Sequence, residues 1–150
     1  MATVTVEGFP VRTEFSYDLT HHMWVEELGG ERVRVGMDAL GLETSGTLAH
    51  LMMVEVGTEV ARGEPFGSLE AEKYVGPLVA PLSGTVVAVN ADAVASPSLV
   101  QSDPYGAGWM VELSASDLEG ERSGLVSGDE IVTRFAQKVT EYRLEGVLAE

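Results

Sequence analysis

Cysteine is absent from all 150 residues. That excludes a disulfide framework, a cysteine nucleophile and a thiolate metal site, so any sulfur redox chemistry must arrive on an attached group. Positive charge is scarce: 9 Lys and Arg stand against 24 Asp and Glu, a net charge of −15. Such a chain repels phosphate backbones and anionic lipid, which makes nucleic acid and membrane surfaces poor partners. Surfaces with basic patches are attracted instead, less so at high salt. Long apolar runs are missing; stretches such as Val86-Val87-Ala88-Val89 are far too short to span a bilayer. The opening MATVTVEGFPVRTE carries Glu7 and Glu14 and no basic stretch ahead of an apolar block. No secretory signal is therefore expected, and the expected location is the cytoplasm. No G-x-S-x-G elbow, phosphate-binding loop or dinucleotide fingerprint occurs. His21 and His22 are adjacent and would face opposite ways from a strand, and His50 stands apart, so no metal site is expected.

What is present is an ordinary globular composition, 45% hydrophobic and 22% charged, in a chain of about one domain's length. The 17 glycines and 6 prolines punctuate nearly all of residues 1–110. Between them lie short β-type runs, among them 32–35, 47–54, 65–70 and 85–89, with another at 109–113. Short strands between regular turn signals point to an all-β sandwich or barrel. Residues 56–63 and 79–86 are loose echoes of each other, each a turn followed by a strand. Residues 114–128, rich in Ser, Gly and Glu, read as a linker. Beyond it Ile131, Val132, Phe135, Val139 and Tyr142 recur at helical spacing, predicting an amphipathic helix that packs on the β core. Ser127 with Glu130 forms a capping-box pattern at its start, and Gly146 is a natural stop.

Lysine is rare, with Lys73 and Lys138 alone. Lys138 falls in the expected helix, on its solvated side. Lys73 follows a strand in which Leu69 and Ala71 alternate with Glu70 and Glu72, the first pair facing in and the acids out. Gly76-Pro77 reads as a turn just beyond, so Lys73 is expected at or near the tip of a β-hairpin. By itself that position suits a solvated edge charge.

From Val56 to Gly84 the chain resembles the biotinyl/lipoyl-carrier family: V-G-x-x-V-x-x-G at 56–63, E-A-x-K ending at Lys73, and A-P-x-S-G at 80–84. The resemblance sharpens toward glycine cleavage system H proteins. His22-Met23-Trp24-Val25 is similar to their H-x-W-V, and Arg34-Val35-Gly36 to the strand that follows. Pro97-Ser98-Leu99-Val100 is similar to N-P-x-L-V, and Asp103-Pro104-Tyr105-Gly106-Ala107-Gly108-Trp109 to D-P-Y-G-x-G-W. The order and spacing hold over about residues 17–118. Departures are Met23 where the family usually has Glu, a reduced segment at 41–47, Tyr74-Val75-Gly76 after the lysine, and a distinct pattern at 119–150.

The resemblance implies a mostly β, lipoyl-type barrel-sandwich hybrid of short antiparallel strands with a short helical insertion and a C-terminal helix. Residues 1–118 would form the carrier domain, with 119–150 a linker and helix packed on it. It implies lipoic acid joined covalently to Lys73, with Glu70, Glu72 and Tyr74 read by the modifying enzyme. The chain would be a carrier, not an enzyme, and expected to be a monomer. Its partners would be lipoate-attaching enzymes together with glycine decarboxylase, aminomethyltransferase and dihydrolipoyl dehydrogenase, between which it would pass an aminomethyl group. H-like lipoate-binding proteins of heterodisulfide-reductase-like sulfur oxidation, a biotin carrier and an unmodified adaptor are the alternatives. Trp24 and Trp109 read as structural anchors, and Asp103 as the cap of the Pro-Tyr-Gly turn.

Overall fold

A computed structural model describes residues 3–148. The strands and helices run in chain order as Thr3–Val6 (β1), Phe9–Arg12 (β2), Ser16–Asp18 (β3), Met23–Gly29 (β4), Arg32–Met37 (β5), Ala39–Ser45 (α1), Leu48–Met53 (β6), Glu59–Val60 (β7), Pro65–Ala71 (β8), Val75–Val79 (β9), Gly84–Val89 (β10), Ala91–Ala95 (α2), Ser98–Ser102 (α3), Val111–Ala115 (β11), Leu118–Glu121 (α4) and Glu130–Leu144 (α5). The fold is mostly β, built from short antiparallel strands, as the sequence predicts. One sheet has the order β3-β4-β5-β11-β10-β7, a second β6-β8-β9, and β1 and β2 form a separate hairpin.

Two cores hold these layers together. The larger lies beneath the two sheets, where Val33, Val35, Leu51, Phe66, Leu69, Leu78, Val86, Val111 and Leu113 meet. Each fully buried side chain of this size contributes about 1.5–3 kcal/mol. The smaller core joins Val6, Val11, Phe15, Tyr17 and Trp24 to Ile131, Phe135 and Val139 of α5. Those three α5 residues recur every fourth position and are buried, so the predicted helix is present; Val132 of the expected stripe is exposed instead.

The echoed segments 56–63 and 79–86 lie against each other: Val60 pairs with Gly84, and Gly63 N–H donates to Ala80 O. The Asp103 block is a hub. Trp24 Nε1 donates to Pro104 O at 3.0 Å, Tyr105 hydroxyl donates to Pro10 O at 2.8 Å, and Asp103 Oδ2 accepts from Ala107 N–H at 2.9 Å, the expected cap. Trp109 precedes its strand rather than starting it, and its ring lies 4.9 Å from the Arg34 guanidinium carbon.

Two local expectations need correction. Gly76 and Pro77 are not the turn; they lie inside β9. Proline is tolerated there because β9 is the edge of its sheet. The Ser127–Glu130 capping box does not form, since α5 begins after Asp129 with no side-chain cap. Gly146 does end the helix: its φ is 77°, its N–H donates to Arg143 O, and Val147 N–H reaches back to Tyr142 O, a Schellman closure. Within 114–128 the chain forms α4 and then bridges from Val126 to Tyr17.

Candidate functional site

The β8–β9 hairpin turns through Glu72, Lys73 and Tyr74, all exposed. Leu69 and Ala71 point into the core while Glu70 and Glu72 stay outside, the expected alternation. Ala71 N–H donates to Tyr74 O, which closes the turn. Lys73 therefore sits at the hairpin tip.

That tip is held from a second direction. Lys73 N–H donates to Ser45 O at 2.8 Å, and Glu72 N–H to Thr47 O at 2.9 Å. Both acceptors flank Gly46, which ends α1 at φ 75° and ψ −160°, a conformation essentially reserved for glycine. Gln101 on α3 locks the same connection: its Nε2 donates to Gly46 O at 3.0 Å and its Oε1 accepts from Leu48 N–H at 3.1 Å. The helical insertion and α3 thus meet to hold the backbone of one lysine. Sequence reasoning missed Gln101, because no local pattern links it to Gly46 and Leu48, 55 and 53 residues earlier.

The two lysines differ in engagement. Lys138 is half-buried, with Nζ 5.5 Å from the centre of the Tyr142 ring. Among the described residues, no carboxylate lies within ion-pairing distance of Lys73 Nζ, so its ammonium stands free on a fixed backbone. A primary amine so placed is open to acylation, which would remove its charge.

Glu70, Glu72 and Tyr74 do not form one cluster. Glu72 Oε1 turns back toward Thr47 N–H at 3.4 Å. Tyr74 donates its hydroxyl to Pro77 O at 2.9 Å and lines a cleft of about 160 Å³ with Ser45, His21, His22, Met23 and Met37. Glu70 lies on the open face of the three-stranded sheet, beside His50.

His22 forms the end of the cleft nearest α5. Its Nε2 is 2.6 Å from the Tyr142 hydroxyl, and its Nδ1 is 3.4 Å from Oδ1 of the fully buried Asp38. Asp38 in turn accepts from Gly41 N–H at 2.8 Å and so caps α1. Burial raises the Tyr142 hydroxyl pKa, and the charges of Asp38, Glu145 and Glu141 raise it further. His21 pairs instead with Asp18, at 2.8 Å. The three histidines thus have different partners, though His21 and His22 line the same cleft.

Comparison with known proteins identifies relatives of this arrangement. The family model described as glycine cleavage H-protein matches residues 15–138. A glycine cleavage system H protein of Mycobacterium avium is 42% identical over 106 residues, covering 71% of this chain and 80% of the relative. That of Mycolicibacterium vanbaalenii is 40% identical over 117 residues, covering 78% and 88%. The crystal structure of a glycine cleavage system H protein from Mycobacterium marinum superimposes with a TM-score of 0.72 at 32% identity, covering 83% of this chain and 98% of that one. All three are named for glycine cleavage, and the biotin and sulfur-oxidation alternatives gain no support from them.

Proposed function

The chain belongs to the glycine cleavage H-protein family, and on that premise we propose that it is a lipoyl carrier with Lys73 as its attachment point. The observation that carries the reading is the free Lys73 ammonium on a turn pinned by Ser45, Thr47 and Gln101. A modifying enzyme must find one amine in one orientation, and a backbone held from two sides provides that. Once it has given up a proton to solvent, Nζ would attack an activated lipoyl carboxyl, expel the activating group and lose a second proton, leaving a neutral amide. A lipoyl group there would supply a dithiolane whose sulfurs cycle between disulfide and dithiol and carry an aminomethyl group between enzymes.

The chain's own residues hold and present. Ser45 and Thr47 fix the tip, Glu70 and Glu72 give it a negative field, and Tyr74 stands at the mouth of the adjacent cleft. The partners are the lipoate-attaching enzymes, glycine decarboxylase, aminomethyltransferase and dihydrolipoyl dehydrogenase, acting in the cytoplasm. With no cysteine in the chain, no protein thiol competes with the attached sulfurs.

Intact mass with peptide mapping of the protein from its native host tests this. The expected result is a lipoyl increment on the Lys73 peptide, none on the Lys138 peptide, and its loss in Lys73→Arg. An unmodified chain from lipoate-replete cells refutes the reading, and a biotin increment replaces it with carboxyl transfer.

A further inference from the structure

The outward face of the β6-β8-β9 sheet carries an apolar feature that the carrier chemistry does not require. His50, Glu70 and Val75 lie in register as one cross-strand row, the last rung before the Lys73 turn. Met52 and Ser68 form the next. Met52 is 69% exposed and Val75 75%, and they flank a shallow depression whose walls also include Ser68 and Leu69. Single exposed apolar side chains are common on any surface. Two so exposed across one depression, beside the Lys73 turn, form an anchor site of the kind that a partner's side chain fills. Methionine suits such a site because its flexible thioether adapts to what covers it.

The rim is negative. Glu70 borders the depression, and His50, with Nδ1 3.7 Å from Glu70 Oε1, is the sole basic group in its lining. The occupant should therefore present an apolar knob with basic residues around it, and the chain's net charge of −15 would steer it in. Pro77 removes a backbone donor from β9, the free edge, so contact is through side chains on the face rather than by strand addition.

Geometry distinguishes among the carrier's partners. Enzymes that act on the dithiolane meet it at the far end of a long flexible arm and need not touch the surface beside its root. Only the enzyme that forms the amide must bring its reacting carbonyl to Nζ itself. We propose that the Met52–Val75 depression, rimmed by Glu70, is the docking surface for the lipoate-attaching enzyme, whose matching surface is an apolar knob among basic residues. This rests on the reading of Lys73 as the lipoyl site.

The test is loading of the full-length unmodified chain by an ATP-dependent lipoate ligase with free lipoate, followed by intact mass. Met52→Gln with Val75→Thr keeps size and removes apolar contact at two exposed positions. Loading efficiency is expected to fall about tenfold, mainly through KM, as befits two apolar side chains that no longer leave water on docking. Loading of the wild-type chain should also weaken as salt rises. The same double variant, loaded to completion at high ligase concentration, should have its lipoyl disulfide reduced to the dithiol by dihydrolipoyl dehydrogenase with NADH at the wild-type rate. Hydrogen exchange with the ligase present should show protection at 50–52 and 75–76. Unchanged loading KM, protection confined to other faces, or an equal loss in the dehydrogenase reaction overturns the assignment. Sedimentation that reveals a dimer broken by the double variant gives the depression to a second copy and overturns it too. Absence of a lipoyl increment on the wild-type Lys73 peptide overturns the attachment reading itself, and with it this one.

Discussion

Gly46 offers the sharpest test of how the tip is held. A Cβ added there would lie 2.7 Å from Glu72 Oε1 and 3.0 Å from Glu72 Cβ. The carboxylate can swing away, but the Cβ moves only with the tip backbone. In addition, φ 75° with ψ −160° costs a non-glycine residue about 1–3 kcal/mol. Gly46→Ala should therefore destabilise the protein by about 2 kcal/mol, which lowers Tm by roughly 4–8 °C in a chain of this size. Because the acceptors for Lys73 and Glu72 N–H flank this residue, loading of Lys73 should slow as well. Gly63→Ala is the matched control: its φ is 90°, but nothing lies within 4 Å of the added Cβ. It should cost about 1–2 kcal/mol of backbone strain and leave loading unchanged. Thermal unfolding by circular dichroism and mass-resolved loading kinetics read the two effects separately. A Gly46→Ala protein with wild-type Tm, or two variants that slow loading equally, refutes the reasoning.

Two further outcomes follow from the packing around the site. Gln101→Met leaves Gly46 O and Leu48 N–H without their partner and should cost about 1–3 kcal/mol, read from urea midpoints with an unchanged m value; a neutral effect would show that the bridge does not hold the turn. Glu112 is buried, which pushes its carboxyl pKa up, but hydrogen bonds from Arg34 and Arg32 outweigh that and hold it below the ordinary carboxylate range. Its contribution is therefore complete above the unfolded value near pH 4.3 and is lost as pH falls through the lower folded value. Glu112→Gln should cost about 1–2 kcal/mol at neutral pH and flatten the acid limb of Tm against pH; an unchanged limb would sink that account.

The hairpin was legible because one strand alternates without a break: Leu69 and Ala71 inward, Glu70 and Glu72 outward, with the lysine next. Gly76-Pro77 reads as the turn although the chain turns at 72–74, because Gly-Pro reads as a stop unless the strand is known to be an edge, and edges are set by topology. Helix α5 was readable from Ile131, Phe135 and Val139, but its start was not: the chain enters through Gly128 at φ 63° and needs no Ser127 cap. Gln101 and the His22–Tyr142 contact were invisible, since each joins segments far apart in the chain. The division of Glu70 from Tyr74 depends on which sides of a twisted hairpin are covered, and only the assembled sheets decide that.

The two cores close at different moments of synthesis. Every residue of the larger core lies between Met23 and Leu118, so the sheets beneath Lys73 have all their apolar partners before α5 emerges. The smaller core waits for Ile131, Phe135 and Val139, and until then Val11, Phe15 and Trp24 lack their cover. A growing chain thus completes the core beneath its lysine tip while the smaller core is still sticky. A ribosome stalled after residue 118 would therefore release a species with its larger core complete and its smaller core uncovered, prone to aggregate.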